Sequence, residues 1–220
     1  MKLTDAIRQT VSLAPAVRPY LTGRARYIVA LKGGEGSGNF GHAGRPGEVG
    51  GSAPSGEGGN LQSIKDKEEE IRSISNFEKS AIFDNEGNLI LEKSGGTNNV
   101  IFTKEESQAI KENGNAILTH NHPFVASFSN GDIVFAADHN LQEIRVVDEK
   151  YAYSLLRPSS GWPDASLMKS VWTREFNKQV KFYHEEIKYG RATVAEANEN
   201  ATHAATLKVS EKFGVPYDRQ

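Results

Sequence analysis

Two imidazoles one residue apart, His120 and His122, followed at close range by the hydroxyl of Ser129 and the carboxylate of Asp132, are the part of this chain best equipped for chemistry. They stand in Thr119-His120-Asn121-His122-Pro123 and Ser129-Asn130-Gly131-Asp132, after an apolar run and before a helical one. On an extended chain, side chains two apart share a side, so both histidines can face one ion at a strand end. Asp132 would sit in the first turn of the next helix, where the positive end of the dipole favours a carboxylate. Two imidazoles and one carboxylate leave a fourth position open, the arrangement of a catalytic zinc site. Water held there is acidified toward a pKa of about 7 and becomes a nucleophile near neutral pH. The chain has no cysteine, so thiolate metal sites and disulfides are excluded, and His and carboxylates remain as ligands.

Hydrolysis also wants a general base and a group to steady the developing oxyanion. Glu78 is the best-placed base, because it precedes a strand that can pair beside the histidine-bearing one; Glu70, Glu86 and Glu92 lie nearby in sequence. Ser129, three residues before Asp132, is positioned for the oxyanion. The same Ser129 and Asp132 also read as an N-cap with its capping box, a role compatible with catalysis.

The elements that must carry these residues can be read from periodicity and punctuation. A charged helix is expected from Asn60 to about Ser75, with Ile64, Ile71 and Ile74 on one face. A hairpin follows, Ala81-Ile82-Phe83 and Leu89-Ile90-Leu91 around Asp84-Asn85-Glu86-Gly87-Asn88, and Val100-Ile101-Phe102 reads as a further strand. Thr103 with Glu106 caps a helix ended by Asn113-Gly114; Ala116-Ile117-Leu118 is a buried strand delivering the histidines. A helix from Ser129 to about His139 and strands at Glu143–Val147 and Tyr151–Leu155 complete the centre. From Pro163 the chain reads as helical to its end, Leu167, Val171, Phe176, Val180, Tyr183 and Ile187 tracing one face, with Thr193 and Glu196 capping a last helix that stops near Gly214.

The expected fold is thus α/β, a mixed sheet with flanking helices over residues 61–160, followed by a helical tail over 161–220. Before it lie a short segment, residues 1–32, with Leu3, Ile7 and Val11 at helical spacing and a strand-like Tyr27–Leu31, and a linker over 33–60. Glycine supplies 12 of the 27 residues from Gly33 to Gly59, a stretch whose ordering would cost more backbone entropy than Phe40 and Val49 can offset.

Glu78 before a strand, His120-Asn121-His122-Pro123 and Ser129-Asn130-Gly131-Asp132-Ile133 resemble the JAMM (JAB/MPN) metalloprotease motif, most closely its RadC-like branch. The resemblance covers roughly residues 76–157 and implies a cytidine-deaminase-like fold. It implies Zn2+ bound by His120, His122 and Asp132, Glu78 as general base, Ser129 as oxyanion helper, and cleavage of amide or isopeptide bonds in a protein or peptide substrate. The spacer from His122 to Ser129 holds six residues, one fewer than is typical of that family. Separately, the run Lys32 to Ser52, Lys-Gly-Gly-Glu-Gly-Ser-Gly-Asn-Phe-Gly-His-Ala-Gly-Arg-Pro-Gly-Glu-Val-Gly-Gly-Ser, resembles a segment of tailed-phage head morphogenesis and minor capsid proteins. That resemblance implies a phage or prophage origin, with head or portal proteins as partners, and allows a non-catalytic assembly module as the alternative to a hydrolase.

A net charge of −2 with 25% charged residues shows neither a nucleic-acid footprint nor a broad membrane-binding charge. The start Met1-Lys2-Leu3-Thr4-Asp5 lacks a secretory pattern and no run reaches a membrane span, so the expectation is a soluble protein of the host cytoplasm or the virion. The letters His-Asn-His bring an HNH nuclease to mind, but that chemistry needs its residues spread over a ββα-metal unit and a basic surface for phosphate. His139, His184 and His203 sit on helical patterns without ligand partners and read as packing or surface residues.

Overall fold

The structure is a computed structural model and describes residues 60–220. The expected elements at Leu3–Val11 and Tyr27–Leu31, the glycine-rich stretch and the phage-like run lie outside the described residues.

Among the described residues, six strands form one mixed sheet and five helices cover it. In chain order the elements are α1 (Asn60–Arg72), β1 (Lys79–Phe83), β2 (Leu89–Ser94), α2 (Lys104–Asn113), β3 (Ile117–Asn121), α3 (Asn130–Asp138), β4 (Glu143–Val147), β5 (Ala152–Leu156), α4 (Ala165–Lys188), α5 (Val194–Phe213) and β6 (Tyr217–Arg219). The strand order is β2-β1-β3-β4-β5-β6; β3 and β4 are parallel and every other neighbouring pair is antiparallel. This is the mixed α/β architecture the alternation of apolar runs and capped helices points to. Among the described residues no helix is long and apolar enough to cross a membrane.

The punctuation residues act as their chemistry requires. Thr103, Ser129 and Thr193 each cap a helix in a complete capping box, with Glu106, Asp132 and Glu196 as the reciprocal acceptors. Gly114 and Gly214 end α2 and α5 in the left-handed region, φ 69° and 68°, where a Cβ would be strained.

Strand alternation divides the sheet's surroundings in two. Ile117, Ala81 and Phe83 pack with Ile64 of α1 on one face. Leu118, Ile82, Ile144 and Val146 belong to the larger core on the other, with Ile133 and Phe135 of α3, Met168, Val171 and Trp172 of α4, and Ala205 and Val209 of α5. The α1 face also buries charge: Arg145 on β4 donates to Glu68 Oε1 at 2.6 Å and Oε2 at 3.2 Å, and to Glu143 Oε1 at 2.6 Å, while Thr119 Oγ1 donates to Glu68 Oε1 at 3.0 Å.

Four sequence expectations are corrected. Helix α1 stops at Arg72, which leaves Ile74 in the following turn. Val100–Phe102 is no strand: Val100 and Phe102 are buried and Ile101 is exposed, a strand-like alternation, but Gly96 and Asn99 bridge just before it and turn the chain off the sheet. The chain is not helical to its end, since β6 pairs antiparallel with β5. On α4 the buried face is Met168, Val171 and Trp172, with Phe176 packed against the same core, whereas Leu167, in the first turn, is exposed. The sheet and the main core therefore draw on both sides of residue 160.

Candidate metal centre

Residues Ile117–Leu118 sink β3 into the sheet, and its C-terminal end carries His120 opposite Ser80 of β1 and Val146 of β4. His122 follows directly, its N–H donating to Val147 O at 2.8 Å, so the strand's course continues one step past β3. The chain then turns through residues 123–128 and re-enters at α3, whose capping box aims Asp132 back at the strand end: Ser129 Oγ accepts the N–H groups of Gly131 and Asp132, and Asp132 Oδ2 accepts the Ser129 N–H at 2.6 Å.

His120, His122 and Asp132 consequently meet, all three buried, with one ligand atom from each lying within 4.8 Å of the others. The nearest approaches are tighter. His120 Nε2 is 3.2 Å from His122 Nε2 and 3.3 Å from Asp132 Oδ1, and His122 Nε2 is 3.7 Å from Asp132 Oδ2. Bonds of about 2.0–2.1 Å to a tetrahedral ion place ligand atoms about 3.3–3.4 Å apart, so the two edges at His120 fit a small ion such as Zn2+, and the His122–Asp132 edge is longer. The tautomer of His122 fits as well: its Nδ1 lies 3.0 Å from Ala126 O and donates to it, which leaves Nε2 with its lone pair toward the cluster. His120 Nδ1 is buried without a well-formed hydrogen bond.

The electrostatics ask for positive charge at the centre. Burial pushes the Asp132 carboxyl up, but His120 and His122 beside it, with the Ser129 N–H, outweigh burial and hold it at about 2. Burial pushes His120 down, yet Asp132, with support from Glu78, more than reverses this and its pKa is raised. Burial and the adjacent His120 keep His122 lowered, hence neutral and ligand-ready. Of the three, His122 is nearest to solvent, its side chain 9% exposed against 3% for the others. A cavity of about 20 Å³, room for roughly one water, lies beside His120 and Asp132 among apolar walls.

Glu78 is buried immediately before β1. Its backbone pairs with the β2 side through Gly96 O and the Gly95 N–H, both at 2.8 Å, so the alternation of β1 continues to it. That parity places Glu78 with Ser80 and Ile82 on the face that bears His120, and its charge acts on the His120 imidazole. It is outside the three-residue ligand cluster. The alternative glutamates go elsewhere: Glu70 and Glu92 form ion pairs with Lys67 and Lys79, and Glu86 is exposed in the β1–β2 turn. Ser129 is half-buried, both acceptor positions of its hydroxyl taken by helix N–H groups, which leaves its O–H proton for another acceptor.

Sequence reasoning did not single out the residues that hold these groups in place. Asn121, the middle letter of His-Asn-His, points to the opposite face, where its Oδ1 accepts the Lys79 N–H at 2.7 Å and its Nδ2 donates to Ile74 O and Phe77 O at 2.8 and 3.1 Å. It ties down the segment that carries Glu78; strand parity alone separates it from the two histidines. Asp148, fully buried, accepts the Ala126 N–H at 3.0 Å and the Tyr153 hydroxyl at 3.1 Å through Oδ2, and the N–H groups of Lys150 and Tyr151 at 2.8 Å through Oδ1. His139 stacks on Phe135 at a ring separation of 3.8 Å, and His203 Nδ1 lies 2.7 Å from the Tyr217 hydroxyl, so neither joins the cluster.

No family model, curated protein or solved structure matches this chain.

Proposed function

We propose that this protein is a zinc-dependent amide or isopeptide hydrolase of JAMM type, with His120, His122 and Asp132 holding the ion. The carrying observation is the buried cluster itself, two imidazole nitrogens 3.2 Å apart and a carboxylate oxygen 3.3 Å from one of them, with the tautomer of His122 set by a backbone carbonyl. A bound Zn2+ would supply Lewis acidity, acidifying water at the open fourth position and polarising a carbonyl. Glu78, buried and coupled to His120, takes the proton from the attacking water and returns it to the leaving amine. Ser129, at the mouth of α3, donates its remaining O–H proton to the developing oxyanion. The nuclease reading loses its support, because Asn121 faces away from both histidines.

A second reading is favoured by the Lys32–Ser52 run: the same fold serves as a non-catalytic module of phage head assembly, binding a capsid or portal protein in the host cell or virion. Two variants separate the readings. Purified wild-type protein is expected to carry about one zinc per chain, His120→Ala to carry none, and Glu78→Gln to keep zinc while losing peptide hydrolysis. Folded wild-type protein that takes up no zinc would sink both the enzyme and its metal. Zinc retained with no hydrolysis, and phage production unchanged by Glu78→Gln, would favour the assembly module.

A further inference from the structure

His122 can offer Nε2 to an ion only while Nδ1 keeps its proton, so whatever strengthens the acceptor at Nδ1 sets the ligand. That acceptor is Ala126 O, at 3.0 Å. The same peptide unit, Ala126 C=O with Ser127 N–H, is engaged at its other end, where the Ser127 N–H donates to Thr202 Oγ1 at 3.0 Å. Thr202 lies in the middle of α5, is buried, and passes its own hydroxyl proton back to the helix carbonyls of Asn198 and Glu199, at 2.9 and 3.1 Å. Its lone pair is thereby turned toward Ser127. A peptide whose N–H is donated has a more negative carbonyl oxygen, because hydrogen bonds in series polarise one another.

We propose that Thr202 is a positioning residue of the metal centre, acting on His122 through the Ala126–Ser127 peptide. The helical segment beyond residue 160 thus does more than cover the core: it supplies the outermost link of a chain running from α5 through one peptide unit to a ligand. The neighbouring contacts do not duplicate this link. Tyr217 and Thr206 engage the Ser127 side chain, at 3.0 and 3.4 Å, and Asp148 engages the Ala126 N–H, which belongs to the preceding peptide. Thr202 alone among these partners is bonded to the unit that carries Ala126 O.

The proposal rests on the metal reading, so its test begins in metal-free full-length protein. Long-range 1H–15N correlation of the His122 ring is expected to show the Nδ1–H tautomer in wild type and in Thr202→Ser, which keeps the hydroxyl. Thr202→Val, close in shape but unable to accept the Ser127 N–H, is expected to give a mixture of tautomers. Zinc affinity by chelator competition should fall about 10-fold or more in Thr202→Val and stay near wild type in Thr202→Ser. A Thr202→Val protein with the wild-type tautomer and wild-type zinc affinity overturns the proposal, as does equal impairment of both variants, which would mark a packing role for the methyl group. The wild-type protein supplies a check that does not depend on any variant folding: on zinc binding the Ser127 amide proton should shift downfield, and an unmoved signal in zinc-loaded protein counts against the relay. A wild type that shows the Nδ1–H tautomer but binds no zinc refutes the metal reading while leaving the Thr202 link standing.

Discussion

Asp132 carries two duties with one carboxylate: Oδ2 closes the capping box of α3 and Oδ1 faces His120. A carboxyl held at about 2 against an ordinary 3.8 contributes stability above pH 3.8 that disappears as pH falls toward 2. By linkage this is about 2 kcal/mol, which Asp132→Asn should forfeit; urea unfolding across that acid window should therefore be flatter for the variant than for wild type. His120 has the opposite sign. Its raised pKa makes the metal-free pair with Asp132 a source of stability below about pH 6.5 that is lost as pH climbs through the higher folded value. Zinc competes with that proton, so affinity should rise over the same range, with proton release visible by calorimetry in buffers of different ionisation enthalpy. At Ser129 the cap and the proposed oxyanion role share one hydroxyl. Ser129→Ala should cost about 1 kcal/mol in thermal unfolding and leave zinc content intact, while lowering hydrolysis.

At the scale of elements, α1 is fastened to the sheet by buried charge as well as by Ile64. Glu68 receives Arg145 in a two-pronged contact and the Thr119 hydroxyl, one residue before His120. Removing one partner of such a pair leaves the other buried and uncompensated, so Glu68→Ala is expected to destabilise by about 3–5 kcal/mol in chemical denaturation. The loop after β2 is held by shape. A Cβ at Gly95 would stand 1.9 Å from Asn99 O, which only a backbone shift can relieve. Because the Gly95 N–H and Gly96 O hold the backbone of Glu78, Gly95→Ala should reduce hydrolysis more than zinc binding, a contrast that kinetics beside a metal titration would reveal.

For the molecule as a whole, the sheet runs through the whole of the described chain. β6 pairs with β5, and Val209 and Val215 lie in the same core as Leu118 and Ile144. Residues 61–160 expressed alone should therefore lack a cooperative unfolding transition by circular dichroism, while residues 60–220 should show one; a stable short fragment would mean that α4, α5 and β6 are an appendage after all.

Local order was legible in the residues themselves. Capping boxes at Thr103, Ser129 and Thr193, the glycine stops, and the shared facing of His120 and His122 follow from backbone sterics and hydrogen bonding within a few residues, which need no knowledge of the rest of the chain. What only the tertiary structure decided are the pairings between segments far apart in sequence: the parity that turns Glu78 toward His120, the turning away of Asn121, the docking of Glu68 on Arg145, the return of β6 to the sheet, and the contact of Thr202 with Ser127. Each depends on strand register and helix placement, which short-range propensity does not encode and which are settled when the whole core packs at once.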